Sequence, residues 1–349
     1  MYASNQGRLQ GLKFWLLALL TCYWVTACAP SAPLPSVSVA SSDAAHCRQV
    51  EHELGTTEIC GQPEKIAVLS PHILDIVLAL GAQPGAYAET VALNVARFNK
   101  PSEQIPYLGD RIVTQPVNLG DRKNPSLEKL TLLKPDLILS EDWLVRDQYP
   151  LLSQIAPTML FTDKKNGQQH WRNTIDGIAK ALGREARADQ VKTTFRQQLA
   201  AARQTLAPVV ETFPDVLILA VNNDMTHVEI AADSTVGDLL KEIGFQLVFP
   251  DPIAGGETRW RLISPEILPT LKADIAIVIV WDAAGFYNPE AKLRERWNET
   301  PILRKMSAAK ANRIFFVDYQ LWGSNIRGPI TDELILDKLP DMLLPLTNE

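Results

Sequence analysis

Histidine is sparse in this chain: five residues, His46, His52, His72, His170 and His227, are scattered over 349 positions, and none joins Asp or Glu at metal-ligand spacing. A receptor for bare zinc or manganese is not expected from such a set. Basic charge is not in excess, since 34 Lys and Arg face 40 Asp and Glu for a formal charge of −6, which argues against a nucleic-acid partner. Catalytic motifs are missing too. There is no G-x-S-x-G elbow, Walker loop, H-E-x-x-H or G-x-G-x-x-G after a strand, and Gly255-Gly256 in "PIAGGETRW" reads as a loop over a crevice rather than a phosphate cradle. No apolar run reaches the roughly 20 residues that a membrane span needs.

What the N-terminus does have is a short apolar run, "FWLLALLTCYWVTAC", preceded by Arg8 and Lys13. Its length, about a dozen residues before the small Thr26 and Ala27, fits a secretory signal. Val25-Thr26-Ala27-Cys28 resembles a bacterial lipobox, which makes Cys28 the expected first residue of the mature chain and its lipid attachment point. The following "APSAPLPSVSVASSDAA" is rich in Pro, Ser and Ala with almost no charge, a composition suited to a tether rather than a core. Cysteine is scarce, with four in all: Cys22 leaves with the signal, Cys28 carries lipid, and Cys47 and Cys60 remain as a pair. Outside the cytoplasm that pair is expected to form a disulfide, the alternative being a metal site shared with His46 and His52.

From residue 64 strand and helix patterns alternate. "KIAVLS" (65–70), "DLILS" (136–140) and "PTMLF" (157–161) read as buried strands, and "ILDIVLALG" as a helix closed by Gly81. "DVLILAV" (215–221), "FQLVFP" (245–250), "DIAIVIV" (274–280) and "RIFFVD" (313–318) restart the pattern, with helical stretches such as "TVGDLLKEIG" between them. The expected fold class is α/β: two lobes with mainly parallel sheets, helices on both faces. Between them residues 185–206, "EARADQVKTTFRQQLAAARQTL", lack Gly and Pro and place apolar residues three and four apart. A helix of about 22 residues would be a rod roughly 33 Å long, which limits how far two lobes can swing. The expected divisions are a signal at 1–27, a tether at 28–45, an N-terminal lobe at 46–165, a helical segment at 166–212 and a C-terminal lobe at 213–349.

One segment recurs. "SLEKLTLLKPDLIL" starts at Ser126 and "SPEILPTLKADIAI" at Ser264, each with Ser at an expected N-cap, Glu two positions on, then Lys and Asp before a strand. Capping and a first-turn acid account for the local stability of either copy. Together with the lipobox and the single rod, "NPSLEKLTLLKPDLIL", "ALGREARADQ", "SPEILPTLKADIAIV", "YQLWGSNIRGPITDELILDKL" and the leader "CRQVEHELGTTEIC" resemble the substrate-binding lipoproteins of ABC importers for ferric siderophores and cobalamin (class III), in particular the ferric dicitrate-type branch. The resemblance spans essentially the whole mature chain. It implies a non-enzymatic, monomeric receptor at the periplasmic face of the inner membrane, without a cofactor, that hands a ferric siderophore to a permease dimer. It also implies that Glu128 and Glu266 pair with permease arginines, while Lys134, Lys272, Asp136 and Asp274 serve the fold. Cobalamin or heme are the alternative ligands, and a bare-metal receptor or a metal-chelatase-like enzyme the alternative classes.

Open α/β sheets bind ligands in the crevice beyond the carboxyl ends of their strands. Residues that follow the expected strands are therefore the candidates: Ser70, His72 and Trp143 in the first lobe, Asn222, Asn223, Trp281, Tyr319 and Trp322 in the second, with Trp260 in a nearby loop. Arg111, Arg261 and Arg327 add guanidinium forks for a chelate's carboxylates or net negative charge, with Arg327 and Arg111 the first choices. A siderophore already fills the six sites of ferric iron, so the protein need supply no metal ligand.

Overall fold

The computed structural model describes residues 47–348, apart from 90–94, 163, 166–167, 170, 223–224, 226–227, 233, 251–260, 282–288 and 324–325. The expected signal and tether, Cys28, His46, Asn223, Trp260 and Gly255-Gly256 lie outside the described residues.

The leader forms a hairpin, β1 (Cys47–His52) with β2 (Gly55–Cys60), in which Cys47 sits directly opposite Cys60 and the two are disulfide-bonded. An unpaired sheet edge invites aggregation. The hairpin covers one: Glu53 N–H donates to Leu160 O at 2.9 Å and the Thr57 hydroxyl to Thr158 O at 3.3 Å, both on the outermost strand of the first sheet.

That sheet comprises β3 (Ile66–Val68), β4 (Pro84–Glu89), β5 (Val117–Asp121), β6 (Leu137–Glu141) and β7 (Thr158–Phe161), in the order β5-β4-β3-β6-β7 and parallel throughout. Helix α1 (Pro71–Ala79) follows β3, α2 (Leu127–Leu133) joins β5 to β6, and the short α3 (Asp142–Val145) follows β6. Sequence reading missed β4 and β5, whose segments "PGAYAE" and "VNLGD" carry Pro, Gly and Asp against strand propensity and are decided by their neighbours in the sheet. Helix α4 (Ile175–Leu182) closes on Gly183, with φ 61°. Arg48 of the hairpin binds its last carbonyls, at 2.6 Å to Lys180 O and 2.7 Å to Ala181 O, as Gln62 does Leu182 O.

The rod, α5 (Glu185–Thr212), has 28 residues, six beyond the expected end. Pro208 stands inside its last turns. Ala188, Val191, Phe195, Leu199, Ala202, Leu206 and Val209 form its buried stripe, the three-and-four spacing of a helix with one apolar face.

The second sheet holds β8 (Asp215–Asn222), β9 (Val228–Ile230), a two-residue β10 (Gln246–Leu247), β11 (Arg261–Leu262), β12 (Ile275–Trp281) and β13 (Ile314–Asp318). Its order is β11-β9-β8-β12-β13, with β10 beside the start of β8. With the off-path β10 left aside, both sheets run third, second, first, fourth, fifth by chain position. The flank β8-β9-β11 is nevertheless antiparallel. The cause is loop length: Asn222 and Val228 are too near in the chain for a crossover, which takes a dozen or more residues. "FQLVFP", expected as a full strand, contributes only Gln246–Leu247. Helix α6 (Thr235–Ile243), capped by Ser234, follows β9, α7 (Pro289–Glu299) joins β12 towards β13, and α8 (Tyr319–Trp322) follows β13.

The closing helix α9 (Pro329–Leu343) packs on α5, α6 and α1, so it touches both lobes. Its amino end has no side-chain cap of its own. Asp75, from the middle of α1, supplies one: its carboxylate accepts from Ile330 N–H and Thr331 N–H, both at 2.9 Å, and from the Thr331 hydroxyl at 2.6 Å. The approach is close enough that a Cβ on Gly328 would lie 2.2 Å from Asp75 Cγ, which requires glycine there. Beside it the Trp171 indole donates to Asp332 at 2.7 Å. Burial pushes Asp75 up to about 6 and Asp332 up to about 8, the latter also raised by Asp75 itself.

Candidate functional site

The carboxyl ends of the parallel strands of the two sheets carry the site. In the first sheet the switch point, where the chain changes its direction of travel across the sheet, lies between β3 and β6. His72 stands in the first turn after β3 and Glu141 ends β6. In the second sheet the equivalent strands are β8 and β12, which end on Asn222 and Trp281, partners in register.

Glu141 is the centre of the described part of the site. It is 2% exposed, and one of its oxygens, Oε1, accepts from His72 Nδ1–H at 3.1 Å, from the Trp143 indole at 2.9 Å and from Arg327 at 3.1 Å. Burial alone would raise this carboxyl, but the charge and hydrogen bond of His72, the charge of Arg327 and the Trp143 bond outweigh it and hold the group well below the usual carboxylate range. Arg327 comes from the C-terminal lobe, so the pair joins the lobes across 186 residues of chain. His72 Nε2 is buried with no hydrogen-bond partner among the described residues.

Arg122 enters from the loop after β5. Its guanidinium carbon lies 5.6 Å from the centre of the Trp143 ring, and its Nε is buried without a hydrogen-bond partner among the described residues. Trp143 itself is 54% exposed, a large aromatic face left uncovered. Tyr319, at the end of β13 in the other lobe, is raised by burial against the lowering pull of Arg122 and Arg327, so all three groups share one electrostatic neighbourhood. On one side the Tyr107 hydroxyl donates to Asp318 at 2.7 Å, a second link between lobes, while Tyr87 donates to Glu89 at 2.6 Å at the end of β4. Two guanidinium groups, an open indole face and a phenol thus converge where strand ends meet.

The structure brings together His72, Trp143, Tyr319 and Arg327 of the expected residues. Others sit elsewhere. Ser70 is fully buried and its hydroxyl caps α1, accepting from Ile73 N–H at 3.1 Å. Trp322 is 4% exposed and packs in the core that also holds Leu321, Ile326 and Ile330, because a short helix after β13 turns it inward. Arg111 is tied through its carbonyl to Gln83 at the amino end of β4 and reaches Glu333 on α9 at 3.5 Å, away from Glu141. Asn222 holds its strand-end position, half-buried, and Arg261 is placed by backbone in β11, paired with Ile230. Sequence reading missed Glu141 and Arg122. Glu141 could have been found, since it is the acid at the end of "DLILSE"; Arg122 could not, because the strand before it was not recognised. A separate groove of about 380 Å³, lined by Arg294, Trp297, Arg304 and Phe316 among others, lies at the amino end of β13 and is not part of this site.

Residues 66–321 match the family of periplasmic binding proteins, and the chain belongs to that family. The class is one of extracytoplasmic substrate-binding proteins, not of enzymes. The Fe(3+)-citrate-binding protein YfmC of Bacillus subtilis is 24% identical over 307 residues, 87% of this chain and 88% of that protein. The Fe(3+) dicitrate-binding periplasmic protein FecB of Escherichia coli is 23% identical over 289 residues, 82% of this chain and 87% of that protein. Among solved structures, Staphylococcus aureus SirA complexed with staphyloferrin B superposes with a TM-score of 0.68 at 23% identity, covering 85% of this chain and 98% of that one. That likeness shows the fold, two α/β lobes joined by one long helix. Among the described residues no helix is long and apolar enough to cross a membrane. The one described group of three metal-capable residues, Cys47, Glu58 and Cys60, has its two sulfurs bonded to each other.

Proposed function

We propose that this chain captures a ferric siderophore in the crevice between its lobes and delivers it to the permease of an ABC importer, held to the membrane by lipid on Cys28. The observation that carries the reading is the convergence of Arg122, Arg327, Trp143 and Tyr319 at strand ends in a family whose named relatives bind ferric citrate and other ferric chelates. Planar guanidinium groups suit carboxylates, and an uncovered indole suits the flat organic surface of a chelate. The iron arrives fully ligated, so recognition falls to the surface of the complex. Glu128 and Glu266, both exposed and one on each lobe, are the docking residues for a symmetric permease.

A rod in contact with both lobes, a closing helix capped by α1 and ion-paired strand ends favour small lobe movements on binding. Titrating tryptophan fluorescence with ferric dicitrate, ferric hydroxamate and catecholate siderophores, heme and cobalamin tests the assignment. Submicromolar quenching by one ferric chelate is the expected result. Quenching by heme or cobalamin alone moves the protein to another branch of the fold, and no response to any of them overturns the cleft assignment.

A further inference from the structure

Glu141 is too buried to meet a ligand, yet it touches groups on three sides of the site. Its Oε1 gathers His72 from α1, Trp143 from α3 and Arg327 from the opposite lobe, at 3.1, 2.9 and 3.1 Å. Two of these three donors face the crevice: Trp143 exposes its ring, and Arg327 keeps 14% of its side chain accessible. The Trp143 contact is local, two residues along the chain, whereas Arg327 reaches the same oxygen from 186 residues away.

We propose that Glu141 is a positioning residue that assembles the ligand-facing wall from both lobes before any ligand arrives. An exposed indole on a short helix would otherwise sample several rotamers, and an arginine from the far lobe would carry the full entropy of a long side chain. Fixing both to one buried oxygen removes that cost in advance, which is how preorganised sites gain affinity. His72, itself buried, completes the arrangement as the third donor to the same oxygen, at 3.1 Å. The same oxygen also limits the crevice's charge. Arg327 is already partnered by an anion, whereas Arg122, stacked over the same indole, has no such acid within hydrogen-bond reach among the described residues. A ligand anion therefore meets two arginines of unequal strength, one on each lobe.

This inference rests on the crevice being the ligand site, so its test has an arm that needs no ligand. The Trp143 contribution to emission, taken as the difference between the protein and its Trp143→Phe variant, is expected to shift to the red and become more open to acrylamide in Glu141→Ala. It should be retained in Glu141→Gln, which keeps a carbonyl acceptor at the same reach. Glu141→Asp keeps the charge but withdraws it by one methylene, and is expected to behave like Glu141→Ala where that variant folds poorly. In the second arm, ferric dicitrate affinity should fall at least about 30-fold in Glu141→Ala and stay within about threefold in Glu141→Gln. Placed on a Trp143→Phe, Arg327→Gln background, Glu141→Ala should add less than about threefold, because the groups it acts through are gone. An unchanged Trp143 signal in both Glu141→Ala and Glu141→Asp, or losses that multiply independently, would overturn the proposal. If the unaltered protein binds no ferric chelate, the function proposed above fails while the emission arm still decides the role of Glu141.

Discussion

The segments 126–136 and 264–274 occupy the same place in the two lobes, between the third and fourth strands by chain position, yet they agree at one end and differ at the other. At the aspartate end the match is close. Asp136 N–H donates to Lys65 O at 3.0 Å and Asp274 N–H to Asp215 O at 2.8 Å. In return Asp136 Oδ2 accepts from Glu64 N–H at 3.0 Å and Lys65 N–H at 2.8 Å, and Asp274 Oδ2 accepts from Asp215 N–H at 3.1 Å. Each aspartate ties the start of the fourth strand to the start of the first.

At the serine end the copies part. Ser126 caps a true α-helix, accepting from Lys129 N–H at 3.3 Å, and that helix ends on Lys134 in the left-handed region at φ 51°. Ser264 precedes a 3₁₀ turn, Pro265–Thr270, and its hydroxyl makes no capping bond; Ile267 N–H donates instead to the Ser264 carbonyl at 3.2 Å, the three-residue bond of the tighter turn. The glutamates are alike in being exposed first-turn acids without an ion pair among the described residues. The comparison teaches that a matched pair of residues can be a fold device, a coincidence or a shared surface, and that the partner atoms decide which.

Replacing Glu128 and Glu266 together by Ala should cut siderophore uptake by about tenfold or more while the affinity for the chelate, read by fluorescence, stays within about twofold. Equal uptake would leave the glutamates as solvated helix-start acids.

The seam between lobes should be the most pH-sensitive part of the fold. Asp332 at about 8 and Asp75 at about 6 lie above the 3.8 of an unfolded aspartate, so the folded state holds protons that the unfolded state releases. Stability is therefore greatest below about pH 4 for these two groups and is lost as pH rises, through about 6 for Asp75 and about 8 for Asp332. Melting at pH 8.5 is expected at least about 5 °C below melting at pH 5.5, and Asp332→Asn should remove most of that difference. A melting temperature that rises across this window would contradict the buried-acid assignment.

Smaller effects separate the two copies directly. Asp136→Ala forfeits two backbone donors and should cost about 1 to 2 kcal/mol by denaturant melts, against about 0.5 to 1.5 for Asp274→Ala with its single donor. Ser126→Ala should cost about 1 kcal/mol and Ser264→Ala close to nothing, because only one of them caps a helix. Equal costs for the two serines would show that the 3₁₀ turn is capped in solution.

Much of the architecture was legible in sequence, for reasons visible in particular elements. The rod declared itself through a stripe running from Ala188 to Val209, and β6, β7, β8, β12 and β13 through short, largely buried apolar runs. β4 and β5 did not, since Gly85 and Gly120 break their patterns, and with β5 went Arg122. Trp322 was read as a wall of the crevice because it follows β13, but a single short turn is enough to send an indole into the core instead. Ser70 shows the converse: a polar residue at a strand end can be wholly occupied by the helix it starts.

What the amino-acid order alone determined is whatever depends on near neighbours: helix periodicity, the cap at Ser126, the expected bridge between Cys47 and Cys60, and the family the chain belongs to. What only the tertiary structure decided is which distant groups share an atom. Glu141 and Arg327 are 186 residues apart, and Asp75 caps a helix that starts at Pro329, more than 250 residues further along the chain. The physical reason is that a buried carboxylate is tolerated only where donors converge on it, and that convergence exists only once two sheets and a rod have placed strand ends and helix ends together.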